Sequence, residues 1–149
     1  MSQDNYEQSL ALKLFTVLAR THNILMEIDR RDIRRYGLNQ TEFAVLELLY
    51  HKGTHPLQQI GEKILITSGS ITYVIDKLEK KGLLERNPCE EDRRIVYATL
   101  TDQGRILLGE IFPTHAEALT KAFQGLTTEE KQLTIELVKK IGLYARSSI

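Results

Sequence analysis

A chain of 149 residues, 42% hydrophobic and 27% charged, has an ordinary globular composition and enough length to bury a core without disulfide staples. Twenty basic residues balance twenty acidic ones, which excludes binding to nucleic acid by bulk charge and leaves only local arrangement to achieve it. A single cysteine excludes an internal disulfide, no apolar run approaches the ~20 residues that span a bilayer, and the polar, acidic start MSQDNYEQSL is unlike a targeting signal, so a cytoplasmic protein is expected.

The first predicted element is a helix from about Gln8 to Arg35, free of Pro and Gly until Gly37. Leu10, Leu14, Val17, Leu18 and Leu25 share one face, while Leu12, Phe15, Ala19 and Met26 lie elsewhere. A helix apolar on several sides is buried on several sides, which for a small domain suggests a partner subunit. Asn39, with Glu42 three residues on, reads as a capping pair opening a second helix with an inner face of Phe43, Leu46, Leu49 and Tyr50. Gly53 stops that helix, and Pro56 restarts the chain at a short third one carrying Leu57, Ile60 and Ile64. Thr67 is placed to cap a fourth helix, 68–81, in which Ile71, Val74, Ile75 and Leu78 fit the i, i+3, i+4, i+7 pattern and Gly82 ends the run.

Two strands follow, 83–86 and 95–100, the second alternating and rich in β-branched residues, with Asn87-Pro88 read as a turn between them. Thr101 caps a fifth helix that Pro113 is expected to kink or break. Thr127 or Thr128, with Glu129 and Glu130, opens a last helix carrying Leu133, Leu137, Val138, Ile141 and Tyr144, with Ile135 and Leu143 off that stripe. Both ends of the chain are thus too apolar for a lone monomer. The fold class is mainly α with one small β-hairpin, in a single domain without repeats or linkers.

A short helix, a turn, a longer helix and a hairpin make a winged helix-turn-helix, whose second helix enters the major groove with its N-terminal residues at the base edges. Ser68, Gly69, Ser70, Thr72 and Tyr73 lie off the apolar stripe of that helix, with Lys77 a turn later, and small hydroxyls let backbone approach phosphate. Ser68 and Ser70 equally suit a plain helix start. In the wing, CEEDRRIVYATL runs three acids into two arginines at the mouth of a strand. An arginine beside the minor groove meets strong negative potential, and a neighbouring carboxylate can hold its guanidinium in a fixed fork beforehand. Asp92 is placed to do this for Arg94, Arg93 is free to face phosphate, and Arg86 flanks the tip from the first strand. The plainer alternative is a solvated tip whose charges only pair with each other.

At this point the residues resemble the MarR family of bacterial transcriptional regulators over essentially the whole chain. GLNQTEFAVLELL (37–49) resembles the second helix, LQQIGEKILITSGSITYVIDKLEKKGLLER (57–86) the helix-turn-helix, and DRRIVYATLTDQG (92–104) the wing and the next helix start. The D-x-R pattern and the LT..G exit are the most specific of these features. The resemblance implies an obligate homodimer joined through its terminal helices (about 8–35 and 102–147), each lobe (about 39–100) meeting one half of a near-palindromic double-stranded operator. It assigns Ser68, Ser70, Thr72, Tyr73 and Lys77 to the reading helix and Asp92 and Arg94 to the wing. It further implies a repressor released by a small aromatic ligand, most of all as in members that answer to quinones and hydroquinones.

Two release mechanisms compete. A reversible ligand would sit between the dimerisation helices and the DNA-binding lobe, where Phe15, His22, Phe43, Phe112 and His115 are candidate lining residues, although apolar faces need aromatics in any case. The alternative is a redox switch at Cys89, where Arg86, Arg93 and Arg94 favour thiolate while Glu90 and Glu91 oppose it. No Gly-rich phosphate loop, metalloprotease motif or nucleophile elbow points to an enzyme. His51 and His55 stand four apart, but Gly53 and Pro56 interrupt any helix joining them, so neither metal nor cofactor is expected. A winged helix used only for protein contact would be expected to lose the wing arginine and the reading-helix donors, and this chain keeps both.

Overall fold

A computed structural model describes residues 2–64 and 68–149, with Ser68 and Gly69 described by their backbone alone. The elements are α1 (Gln3–Arg34), α2 (Gln40–Lys52), β1 (His55–Pro56), α3 (Leu57–Lys63), α4 (Ser68–Lys80), β2 (Leu84–Pro88), β3 (Val96–Leu100), α5 (Asp102–Ala122) and α6 (Thr128–Arg146). The expected cap Thr67 lies outside the described residues. The result is a mainly helical winged helix-turn-helix with long terminal helices and a small antiparallel sheet of order β1-β3-β2.

Capping chemistry sets most boundaries. The Asn39 side chain accepts from the Glu42 N–H while the Glu42 carboxylate accepts from the Asn39 N–H, a complete capping box at α2. Thr127, not Thr128, makes the same box with Glu130 at α6. Gly82, at φ 75°, closes α4: its N–H reaches Glu79 O at 2.9 Å and the Leu83 N–H reaches Leu78 O at 3.1 Å. That pair of bonds satisfies carbonyls the helix end would otherwise leave open.

Four local expectations are corrected. Helix α1 starts at Gln3 rather than near Gln8, because its polar first turns still propagate as helix. Asn87-Pro88 is not a turn: both residues extend β2, opposite Tyr97 and Val96. Proline is tolerated there because β2 is an edge strand. The sheet has a third strand, β1, pairing His55 with Ala98 and Pro56 with Tyr97. Pro113 does not break α5, which runs through it. Only one i→i−4 bond is lost there, while buried Leu108, Ile111 and His115 hold both halves in place.

One core unites the lobe. Phe43, Val45, Leu46 and Leu49 of α2 meet Ile71, Val74, Ile75 and Leu78 of α4, with Leu83, Leu84, Ala98 and Leu100 beneath. Ile33 closes it from α1, Leu38 from the connection between α1 and α2, and Leu108 and Ile111 from α5. Each Val, Leu, Ile or Phe side chain among them contributes about 1.5–3 kcal/mol of burial. The terminal helices are the opposite case. The buried residues of α1 are Asp32 and Ile33, at its end, and α6 has none. Leu12, Phe15, Leu143 and Tyr144 are each more than two-thirds exposed.

Candidate nucleic-acid interface

Helix α4 buries its apolar stripe and turns Ser70, Thr72 and Tyr73 outward, Tyr73 being 69% exposed. Its attitude is fixed by charge from two sides. From the wing, Arg86 pairs with Asp76 and lies 3.6 Å from Glu79, whose carboxylate also accepts the Arg86 backbone N–H at 3.1 Å. From α2, the buried carboxylate of Glu42 takes Lys81 at 2.7 Å and Lys77 at 3.5 Å. Lys77 and Arg86, both expected at the DNA surface, therefore each hold an internal partner.

The wing tip is pinched shut by the Cys89 N–H donating to Ile95 O at 2.9 Å and the Ile95 N–H donating to Asp92 O at 3.0 Å. Within it Asp92 receives the Arg94 backbone N–H at 3.0 Å, and the Arg94 Nε and Nη2 on its two oxygens at 3.1 Å each. The Arg94 hydrogen bonds, side chain first and backbone second, hold the Asp92 carboxyl below the usual carboxylate range. The Arg94 side chain is nonetheless 90% exposed. Arg93 is exposed beside it, as are Glu90 and Glu91, while Cys89 is half-buried.

Behind the wing, the exit to α5 explains the LT..G pattern. Thr101 Oγ1 accepts the Gly104 N–H at 3.0 Å and donates to Gly82 O at 2.6 Å, tying the start of α5 to the end of α4.

The candidate ligand residues divide into separate groups. Phe43 and His115 are buried together with ring centroids 4.5 Å apart. His115 Nδ1 lies 3.0 Å from Asp32 and Nε2 3.3 Å from Asp29, so a carboxylate stands at each ring nitrogen. Gln40 of α2 donates to Asp29 at 2.7 Å, and the Tyr36 hydroxyl donates to Asp32 at 3.1 Å. Burial first, and the Asp32 charge second, push the Tyr36 hydroxyl above its ordinary value. The cluster thus joins α1, α2 and α5 where the terminal helices meet the lobe. Phe112 is apart from it, 4.5 Å from His51 in an edge contact that also involves Tyr50. Phe15 and His22 are exposed on α1. An apolar groove of about 460 Å³ lies elsewhere, between the end of α5 and α6, along Leu119, Phe123, Leu126 and Ile135.

His55 sits in β1 with Nδ1 donating to Gly53 O at 2.6 Å and Nε2 3.3 Å from Lys63, away from the aromatic contacts of His51. Among the described residues no group of three or more His, Cys, Asp or Glu side chains is placed to hold a metal ion, and no helix is long and apolar enough to cross a membrane. The features that sequence reasoning missed are the Glu42 pairing and the Asp29–His115–Asp32 cluster. Glu42 was visible only as a local cap, and its lysine partners lie 35 and 39 positions away.

Comparison with known proteins points the same way. The MarR family model matches residues 38–96. The chain is 51% identical over 136 residues to the HTH-type transcriptional regulator MhqR of Bacillus subtilis, covering 91% of this chain and 94% of that protein. Among solved structures it superposes on the MarR family regulator Sco3205 of Streptomyces coelicolor in complex with DNA, with TM-score 0.81 and 22% identity over 88% of this chain and 84% of that one. It also superposes on BpsR of Bordetella bronchiseptica, a protein whose DNA binding is regulated by 6-hydroxynicotinic acid, with TM-score 0.77 and 29% identity over 87% and 98%. With half its residues shared with a regulator over nearly the full length of both chains, and with the winged helix-turn-helix in place, this protein belongs to the MarR family of transcriptional regulators.

Proposed function

We propose that the protein is a homodimeric repressor in the cytoplasm that reads a near-palindromic double-stranded operator and is released by a small aromatic ligand of the phenol or quinone class. The observation that carries the DNA reading is the pairing of an exposed Ser70–Thr72–Tyr73 face on α4 with a wing that offers Arg94 in a preformed fork on Asp92. A guanidinium ordered beforehand loses less side-chain freedom on docking, a saving of up to about 2 kcal/mol. The family supports a regulator rather than an enzyme. The aromatic effector is supported by the resemblance to quinone-responsive members and by the ligand named for BpsR. The buried cluster around His115 is the favoured place for the effector to act, because α1, α2 and α5 meet there.

Fluorescence anisotropy on DNA from upstream of the protein's own gene, against a scrambled duplex across a salt series, tests the first part. Specific binding that weakens steeply with salt is expected. Equal, weak binding to that DNA, to the scrambled duplex and to pools enriched on the protein would sink it in favour of a protein-contact module. Phenols and quinones are then titrated into the complex. Cys89→Ser is expected to keep the response; its loss in that variant would move the switch to the wing thiol.

A further inference from the structure

Lys77, in the last turn of α4, and Lys81, the residue just past its end, both reach back from the reading helix onto one carboxylate. Glu42 is 2% exposed, yet its carboxylate is fully engaged. One oxygen takes the Asn39 N–H at 3.3 Å and Lys77 at 3.5 Å, and the other takes Lys81 at 2.7 Å. Lys81 also donates to the Gly37 carbonyl at 3.4 Å. The last turns of α4 are therefore pinned to the corner between α1 and α2, while Arg86 braces the helix from the wing side.

We propose that Glu42 is a positioning residue for DNA reading: through Lys77 and Lys81 it sets the rotation of α4, and these two lysines act as struts rather than phosphate contacts. The proposal rests on the DNA-binding reading above. A helix of about 10 Å diameter that turns by 20° moves its outer side chains by about 2 Å, more than a base-edge hydrogen bond tolerates. The clamp therefore bears on which base pairs Ser70, Thr72 and Tyr73 meet, and much less on the long-range attraction of the protein for any duplex. It also explains why so polar a group is buried at the start of α2: one oxygen of Glu42 serves the capping box and Lys77, and the other serves Lys81.

The test uses Glu42→Gln, Lys77→Met and Lys81→Met in the full-length protein. The probes are a duplex enriched from a random pool by the wild-type protein and a scrambled duplex of the same composition. Each variant is expected to lose about tenfold in the ratio of specific to scrambled affinity. The salt slope is expected to stay within error of wild type, whereas removing a phosphate contact lowers it by about 0.9. A slope reduced by that amount in Lys77→Met or Lys81→Met overturns the strut role. An equal loss on both duplexes marks inactive protein and also overturns it, as does an unchanged ratio. The two lysine variants guard against misfolding in Glu42→Gln, since Lys77 and Lys81 are partly exposed. Amide exchange in the free protein separates this idea from the DNA reading itself. Faster exchange over residues 70–81 in all three variants is expected; unchanged exchange removes the clamp whatever the DNA result. A wild-type protein that enriches no duplex removes the DNA reading, and the role in DNA reading falls with it.

Discussion

A β-carbon on Gly104 would lie 2.1 Å from the Leu83 carbonyl oxygen, a backbone atom that has no room to retreat because it also accepts the Thr101 N–H at 3.1 Å. Alanine is the better helix former by about 1 kcal/mol, but overpacking against backbone costs about 1–3 kcal/mol. Gly104→Ala is therefore expected to destabilise by up to about 2 kcal/mol net, read as a lower urea midpoint at fixed protein concentration. A midpoint at or above wild type would show that helix and hairpin separate freely there. Arg94 makes the opposite kind of contribution. At 90% exposure with an intramolecular partner it adds little to folding, so Arg94→Ala is expected to leave the unfolding midpoint unchanged. Specific DNA binding is expected to weaken by about fivefold or more. Asp92→Ala, which frees the guanidinium without removing it, is expected to weaken binding by less. Equal affinity of Arg94→Ala and wild type in an anisotropy titration would remove the wing from the interface.

Between elements, the α2–α4 clamp has a pH signature. Burial raises the Glu42 carboxyl, but the hydrogen bonds from Lys81 and Asn39 and the charges of Lys81 and Lys77 outweigh it, so the net direction is downward. A carboxyl depressed in the folded state stabilises above its unfolded value, near ~4.3, and that stability is lost as pH falls through the lower folded value. The stability gap between wild type and Glu42→Gln is thus expected to be widest at neutral pH and to close below about pH 4. A gap that is flat from pH 7 to pH 3 would mean the carboxylate is not what joins the helices. The same distance in sequence decides what could be read in advance. Asp92 and Arg94 are two residues apart, and the Asn39–Glu42 and Thr127–Glu130 boxes span three, so their geometry follows from local chain direction. The Asp32–His115 contact spans 83 positions and the Lys81–Glu42 pair 39, and no local pattern foretells either. Strand β1 has only two residues and exists because β3 offers it an edge, so it leaves no alternation to detect. Pro88 reads as a turn from its type alone; only the order of the sheet shows that it lies on an edge where its missing N–H costs nothing.

For the whole molecule, the unbalanced feature is the contrast between a lobe with a closed core and terminal helices with hardly any buried residues. Phe15, Leu12 and Ile24 of α1, and Leu143 and Tyr144 of α6, are too exposed for a lone chain. A second copy of the chain is the partner proposed for these faces. Two lobes held by a common scaffold can meet half-sites one helical turn apart, about 34–36 Å, which a monomer cannot do. An interface of this kind buries at least about 1,200 Å², and charges placed at its centre are left unpaired and desolvated on association. Phe15→Asp combined with Leu143→Asp is accordingly expected to shift the sedimenting species from dimer to monomer at micromolar concentration. It is also expected to abolish specific DNA binding while the lobe core, which contains neither residue, stays folded. Retained near-ultraviolet dichroism together with lost operator binding would tie recognition to the two-lobe spacing. A variant that still sediments as a dimer would place the contact on other faces of α1 and α6. A wild-type protein that sediments as a monomer would instead require another partner for these helices, and with it a different explanation of how one lobe alone reaches the specificity a regulator needs.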